Sequence, residues 1–148
     1  MATATQPTAY ADATVDPVVR TAYEIFNTRD FAAIARLYHP DAQLVNVATG
    51  QVFRGPAGVE EFLRGWIAAF GDAHIEIGTL VQAGEVAVCE FRGIGTHTGV
   101  LHTPAGDVPP TGRPVDVPFC DVIRLRDGRI AATRTYFDTA TFARQLQG

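Results

Sequence analysis

A chain of 148 residues with 47% hydrophobic and 19% charged side chains fits one globular domain of ordinary size. Its net charge of −4, with its arginines scattered singly, argues against the basic patch that a nucleic-acid or anionic-membrane surface requires. No run approaches the roughly 20 consecutive apolar residues of a membrane span, and the N-terminus lacks a basic-then-apolar leader pattern, so a cytoplasmic location is expected.

Residues 1–14 are rich in Ala and Thr without an apolar period and read as a flexible tail before a domain over residues 15–148. Asp16-Pro17 reads as an N-cap followed by proline in the first helical position, and Val18, Ala22 and Ile25 with Val19, Tyr23 and Phe26 form a wide apolar face. Asp30 caps a second short helix through Leu37, which His39-Pro40 is expected to end. Gln43 to Val47 is strand-like, with a short return at Val52-Phe53. Gly55-Pro56 opens a third helix, whose Val59, Phe62, Leu63, Trp66, Ile67 and Phe70 keep a clean helical period.

The remainder reads as β until the last turn. His74 to Val81 and Val86 to His97 are strands, the second carrying Gly93 and Gly95 where a strand bends or a neighbour approaches closely. Residues 99–113 are a loop rich in Pro and Gly. Val115 to Leu125 and Ile130 to Phe137 flank Asp127-Gly128, the strongest hairpin signal in the chain. Asp138 caps a last helix from Thr139 to Leu146. The class is therefore α+β: three helices of the N-terminal half packed on one side of a curved antiparallel sheet, around a single pocket.

Alternation in Val115–Leu125 places Val115, Val117, Phe119, Asp121, Ile123 and Leu125 on one face, apolar but for Asp121. Counting outward from a two-residue hairpin loop sets Asp121 opposite Arg134 and Phe119 opposite Tyr136. Such a carboxylate, held ionised by arginine, is a candidate general base; the same pair also fits a structural ion pair. His97, at the end of the glycine-containing strand, is the candidate acid, and Tyr136 an alternative donor. From the helices Tyr23, Phe26, Trp66 and Phe70 are expected to contact substrate, and from the strands Asn46, Phe53, Glu90 and Phe119. Glu90 and Arg92 form either a second polar pair in the pocket or part of the solvent face. His102 and Asp107 are placed near its mouth. Cys89 and Cys120 are expected as free thiols; with no CxxC, no HExxH and no histidines at i, i+4 on a helix, neither metal nor cofactor is expected.

The segments GTHTG (95–99), PPTGRPVDVPFCDVIRLRDGRI (109–130) and TYFDTATFARQLQG (135–148), with ATGQVFRGPAGVEEFL (48–63) and AFGDAHIEI (69–77), resemble the SnoaL-like polyketide cyclase group of the nuclear-transport-factor-2-like superfamily. The resemblance covers residues 15–148. It implies a cone of helices against a strongly curved sheet. It also implies that the aspartate before the DG hairpin, here Asp121, acts as base in an intramolecular aldol closure without metal or cofactor, assisted by a histidine. A hydrophobic, polyketide-like substrate and a homodimer through the open sheet face follow from the same likeness. The superfamily also holds isomerases, dehydratases, epoxide hydrolases and non-catalytic binding domains, so fold alone does not choose among them.

Overall fold

The structure is a computed structural model that describes residues 10–11 and 15–148. Its first helix, α1 (Pro17–Glu24), starts where Asp16 accepts a hydrogen bond from the Val18 amide at 2.9 Å, and continues into a 3-10 turn at Ile25–Thr28. Asn27 ties that turn to the sheet, accepting from the Ile75 amide and donating to the Ile75 carbonyl. α2 (Phe31–Ala35) begins with Asp30 accepting from the Ala33 amide at 3.0 Å.

The second helix stops two residues short of Leu37, and His39-Pro40 lies inside a strand, β2 (Tyr38–Asn46). The Leu37 carbonyl accepts from the Ile130 amide at 3.0 Å, which draws the chain into the sheet earlier than the proline alone would. β3 (Gln51–Arg54) returns antiparallel to β2 and leads directly into α3 (Gly55–Ala69). β4 (His74–Ala83), β5 (Val86–Thr96), β8 (Pro114–Arg126) and β9 (Arg129–Phe137) form an antiparallel run. The loop before β8 contains a small separate hairpin, β6 (Leu101–Thr103) with β7 (Gly106–Val108). α4 (Thr139–Gln147) closes the chain, capped by Asp138 as expected.

The main sheet has the order β1-β4-β5-β8-β9-β2-β3, where β1 is Tyr10–Ala11. It is mixed rather than antiparallel throughout, because β2 runs parallel to β9. Most of the domain separates these two strands in sequence, so no hairpin forces an antiparallel pairing. A two-residue strand, β1 (Tyr10–Ala11), pairs parallel with Thr79 and Leu80 of β4. Part of the expected tail is therefore an edge strand that occupies the free hydrogen-bonding edge of β4. The rest of that expectation, residues 1–9 and 12–14, lies outside the described residues.

One face of the sheet is covered by the helices. Ala87, Cys89, Val117, Ile123, Leu80 and Val19 sit in the contact layer with no more than 1% exposure. A second, aromatic cluster gathers Phe70, Trp66, Phe119, Phe137 and Phe142 at the other end. Among the described residues no helix is long and apolar enough to cross a membrane.

Candidate functional site

The helix-covered face of the sheet carries one polar row within an apolar layer. Register across four strands sets Cys89 opposite Asp121, Asp121 opposite Thr135, and Thr135 opposite Asn46. All four residues are buried. One row along lie Phe91, Phe119 and Phe137, paired across the same strands, with ring centroids 5.1 and 5.0 Å apart. Gly93 makes room for this ladder, since a Cβ there would meet the Phe119 ring at 2.8 Å. Its neighbour Gly95 likewise lets Phe70 lie close to the strand.

A cavity of about 120 Å³ opens between this face and helices α1 and α3. Among the described residues Asp121 is the one carboxylate on its wall. Tyr23, reaching in from α1, donates a 2.6 Å hydrogen bond to Asp121 Oδ2. Oδ1 is buried and has no partner. Burial pushes the Asp121 carboxyl up from its ordinary value to about 6, and the Tyr23 and Thr135 hydroxyls keep it from rising further. A second phenol, Tyr38, meets the Thr133 hydroxyl at 3.0 Å. Burial raises both phenols and the Cys89 thiol, in each case with the Asp121 charge adding to the rise. The remaining wall is mostly aromatic: Trp66 packs edge-on against Phe119 and Phe142, and Tyr23 lies 5.5 Å from Phe91. His74, exposed, marks the rim.

The hairpin count that paired Asp121 with Arg134 fails by one residue. Asp127 and Gly128 do form the turn with φ of 52° and 74°, and Leu125 does face Ile130. Beyond them Arg124 faces Ala132, so Ala131 is an extra residue on β9. This β-bulge reverses the facing of all that follows. Thr133 and Thr135 turn inward, and Arg134 and Tyr136 turn outward. There the Arg134 guanidinium donates to the Tyr136 hydroxyl and lies 5.6 Å from its ring. Neither touches Asp121. A signal was available in the sequence: Ile130 and Phe137 are both large and apolar but seven apart. One change of parity is needed for both to face the core.

Family and structural comparisons bear on the same geometry. A model of the SnoaL-like domain matches residues 19–133. The chain belongs to that family. Its fold is the nuclear-transport-factor-2-like, ketosteroid-isomerase-like one. IdmH from Streptomyces antibioticus, described as a candidate polyketide cyclase, is 28% identical with a TM-score of 0.72, over 88% of this chain and 96% of its own. A further candidate polyketide cyclase, from Pseudomonas putida, is 21% identical with a TM-score of 0.75, over 90% of this chain and 98% of its own. TsrD from Streptomyces laurentii is 24% identical with a TM-score of 0.76, over 92% and 96%. No curated protein matches the sequence.

Within this SnoaL-like domain the cavity gathers Asp121, Tyr23, Phe26, Trp66, Phe70 and Phe119 of the expected residues. Asn46 lies in the polar row but off the cavity wall, with its Oδ1 buried and unpartnered. Phe53 is held behind the wall, 5.1 Å from Phe62. Glu90 faces solvent, and Arg92 beside it bridges Glu76 and Asp116 on the outer face. His102 and Asp107 pair with each other at 2.8 Å on the exposed β6–β7 hairpin, off the cavity wall. Cys89 and Cys120 are free thiols.

His97 is fully buried but also off the wall, with its ring 5.1 Å from that of Phe70. The Thr111 amide donates to its Nδ1 at 3.2 Å, which leaves the proton on Nε2. The residues that sequence reasoning missed are Thr135, Tyr38 and Phe91, and the direct bond from Tyr23 to Asp121. Tyr23 and Asp121 are 98 positions apart, and only packing of α1 on the sheet joins them.

Proposed function

We propose that this protein is an acid/base enzyme of secondary metabolism acting on a hydrophobic carbonyl substrate, with intramolecular aldol closure of the polyketide cyclase type as its reaction. The observation that carries the reading is Asp121: a buried carboxylate on an aromatic cavity, with one oxygen bonded to Tyr23 and the other free. A carboxyl raised to about 6 is ionised at neutral pH, yet is a stronger base than an exposed aspartate.

In this reading Asp121 takes a proton from the carbon next to a carbonyl, leaving an enolate. The enolate carbon attacks a second carbonyl of the same molecule, forming the ring C–C bond. The resulting alkoxide recovers the proton from the Asp121 carboxylic acid. Tyr23 fixes the carboxylate's orientation from Oδ2. The hydroxyl available to a developing oxyanion is that of Tyr38, which can accept from Thr133 and donate into the cavity, in place of the outward-facing Tyr136. The aromatic wall positions the two carbonyl segments, which lowers the entropic part of the barrier. Isomerisation or dehydration would use the same carboxylate. The cavity is narrower than the roughly 300–1,000 Å³ of drug-sized ligand pockets, so a polycyclic product requires the wall to move outward.

The test is turnover of a poly-β-carbonyl model substrate by wild type and Asp121→Asn. A fall of at least about a hundredfold with the fold retained supports the base; unchanged turnover overturns it. A second copy of the chain is the proposed partner. Val45, Val88 and Val122 lie half-buried on the outer sheet face among charged neighbours, which suits an isologous contact. Size-exclusion chromatography with light scattering reads the stoichiometry, and a monomer at micromolar concentration would exclude it.

A further inference from the structure

The environment of Asp121 has a consequence beyond its use as a base. A buried carboxylate is ordinarily paired with a cation or bonded at both oxygens. Asp121 meets only neutral hydroxyls, the Tyr23 phenol at 2.6 Å and the Thr135 hydroxyl beside it, and among the described residues nothing hydrogen-bonds its Oδ1. The titratable groups facing it are Tyr23 from α1, Tyr38 from β2 and Cys89 from β5. Burial raises all three, so they stay neutral at pH 7 and bring no positive charge. Among the described residues no Arg or Lys lines the cavity. Arg134, Arg124 and Arg92, on the strands around it, face the opposite side of the sheet. His74 stands at the exposed rim beside Glu76.

The walls add to the same bias. Aromatic faces are negative, and rings of Tyr23, Phe91, Phe119 and Trp66 surround the space next to the carboxylate. An aromatic wall beside a lone carboxylate attracts ammonium groups and repels anions. From this geometry we infer that the Asp121 cavity is a binding site for an apolar amine in its protonated form, the ammonium lying against the carboxylate and the hydrocarbon body among the rings. The cavity size suits a ligand of modest bulk. The inference uses the carboxylate that the catalytic reading uses but does not require turnover.

Calorimetric titration at about pH 7.5 compares N,N-dimethylbenzylamine, which is protonated there, with isobutylbenzene, its neutral isostere. The expected result is an advantage of at least about tenfold for the amine. Trp66, the single tryptophan of the chain, lines the cavity and reports occupancy through its fluorescence. Asp121→Asn is expected to abolish the amine's advantage while leaving the hydrocarbon's affinity unchanged. Tyr23→Phe, which keeps the carboxylate, is expected to retain the advantage, so a misfolded Asn variant does not end the test. Equal affinity of the two ligands for wild type overturns the inference, as does amine binding that leaves Trp66 unperturbed or an advantage that survives Asp121→Asn. Loss of turnover in Asp121→Asn without any amine preference would sink this inference alone and leave the catalytic reading standing.

Discussion

Strand β8 carries two aspartates five residues apart, and they live in opposite worlds. Asp116 faces outward, exposed, with Arg92 donating to it from the next strand and Gln145 bridging its backbone to α4. Asp121 faces inward, 6% exposed, with only the neutral hydroxyls of Tyr23 and Thr135 beside it. The odd spacing alone sends them to opposite faces. The comparison teaches that charge compensation in this protein is kept on the outer face. The inner face holds a carboxylate with no cation beside it, which costs stability and fits the proposed role of Asp121.

The most severe way to break the contrast is to shift the register after the bulge. Inserting one residue after Ala131 would move the rest of β9 by one position, bring Arg134 opposite Asp121 and turn Thr133 and Thr135 out. We expect a loss of more than about 4 kcal/mol of stability, read by urea denaturation, because a register change misplaces the facing of the rest of the strand. A stable, active insertion variant would show that this register does not set the site.

Next in size is the contrast in turnover and stability between the two aspartates. Asp121→Asn should lower turnover at least about a hundredfold, whereas Asp116→Asn should leave it within about twofold. Stability should move the other way. The folded Asp121 carboxyl titrates at about 6 against an ordinary 3.8, so the folded protein holds an extra proton between those values and loses stability as pH rises through that window. Asp121→Asn should therefore be more stable than wild type by about 2–3 kcal/mol at pH 8, the difference shrinking as pH falls toward 4. Equal stability across that range would mean that the carboxylate is compensated after all.

A smaller effect separates the phenol from the carboxylate. Tyr23→Phe removes the hydrogen bond that holds the Asp121 carboxyl down. If Asp121 acts as the proposed base in its ionised form, the acid limb of the pH–rate profile should move to higher pH while the fold persists. A limb that stays in place would show that Tyr23 does not tune the carboxyl. The least effect is expected from Arg134→Gln, which disturbs only the outward contact with Tyr136. Turnover within about twofold of wild type fits its solvent-facing place, and a large loss would restore the pairing that the bulge denies.

Much of this was legible in the chain itself. Local chemistry marks the caps at Asp16, Asp30 and Asp138, the turn at Asp127-Gly128, and the glycines that admit Phe119 and Phe70. These depend on residues a few positions apart or on the conformation of one residue. Alternation along a single strand is also local, and it puts Asp121 on the apolar face. Those signals suffice for the α+β class and for the central residue of the site.

What surrounds Asp121 was decided by tertiary structure. One extra residue at Ala131 exchanged arginine and tyrosine for two threonines, and strand counting from an ideal turn has no way to register it. The parallel docking of β2 on β9 brought Asn46 into the polar row across most of the chain length. The Tyr23 hydroxyl arrived from a helix 98 positions away. Sequence alone determined that a carboxylate would be buried here, because side-chain direction in a strand follows from its own period. Packing decided that it would be buried without a cation, because partners across a sheet are set by register and by the helices that close over it.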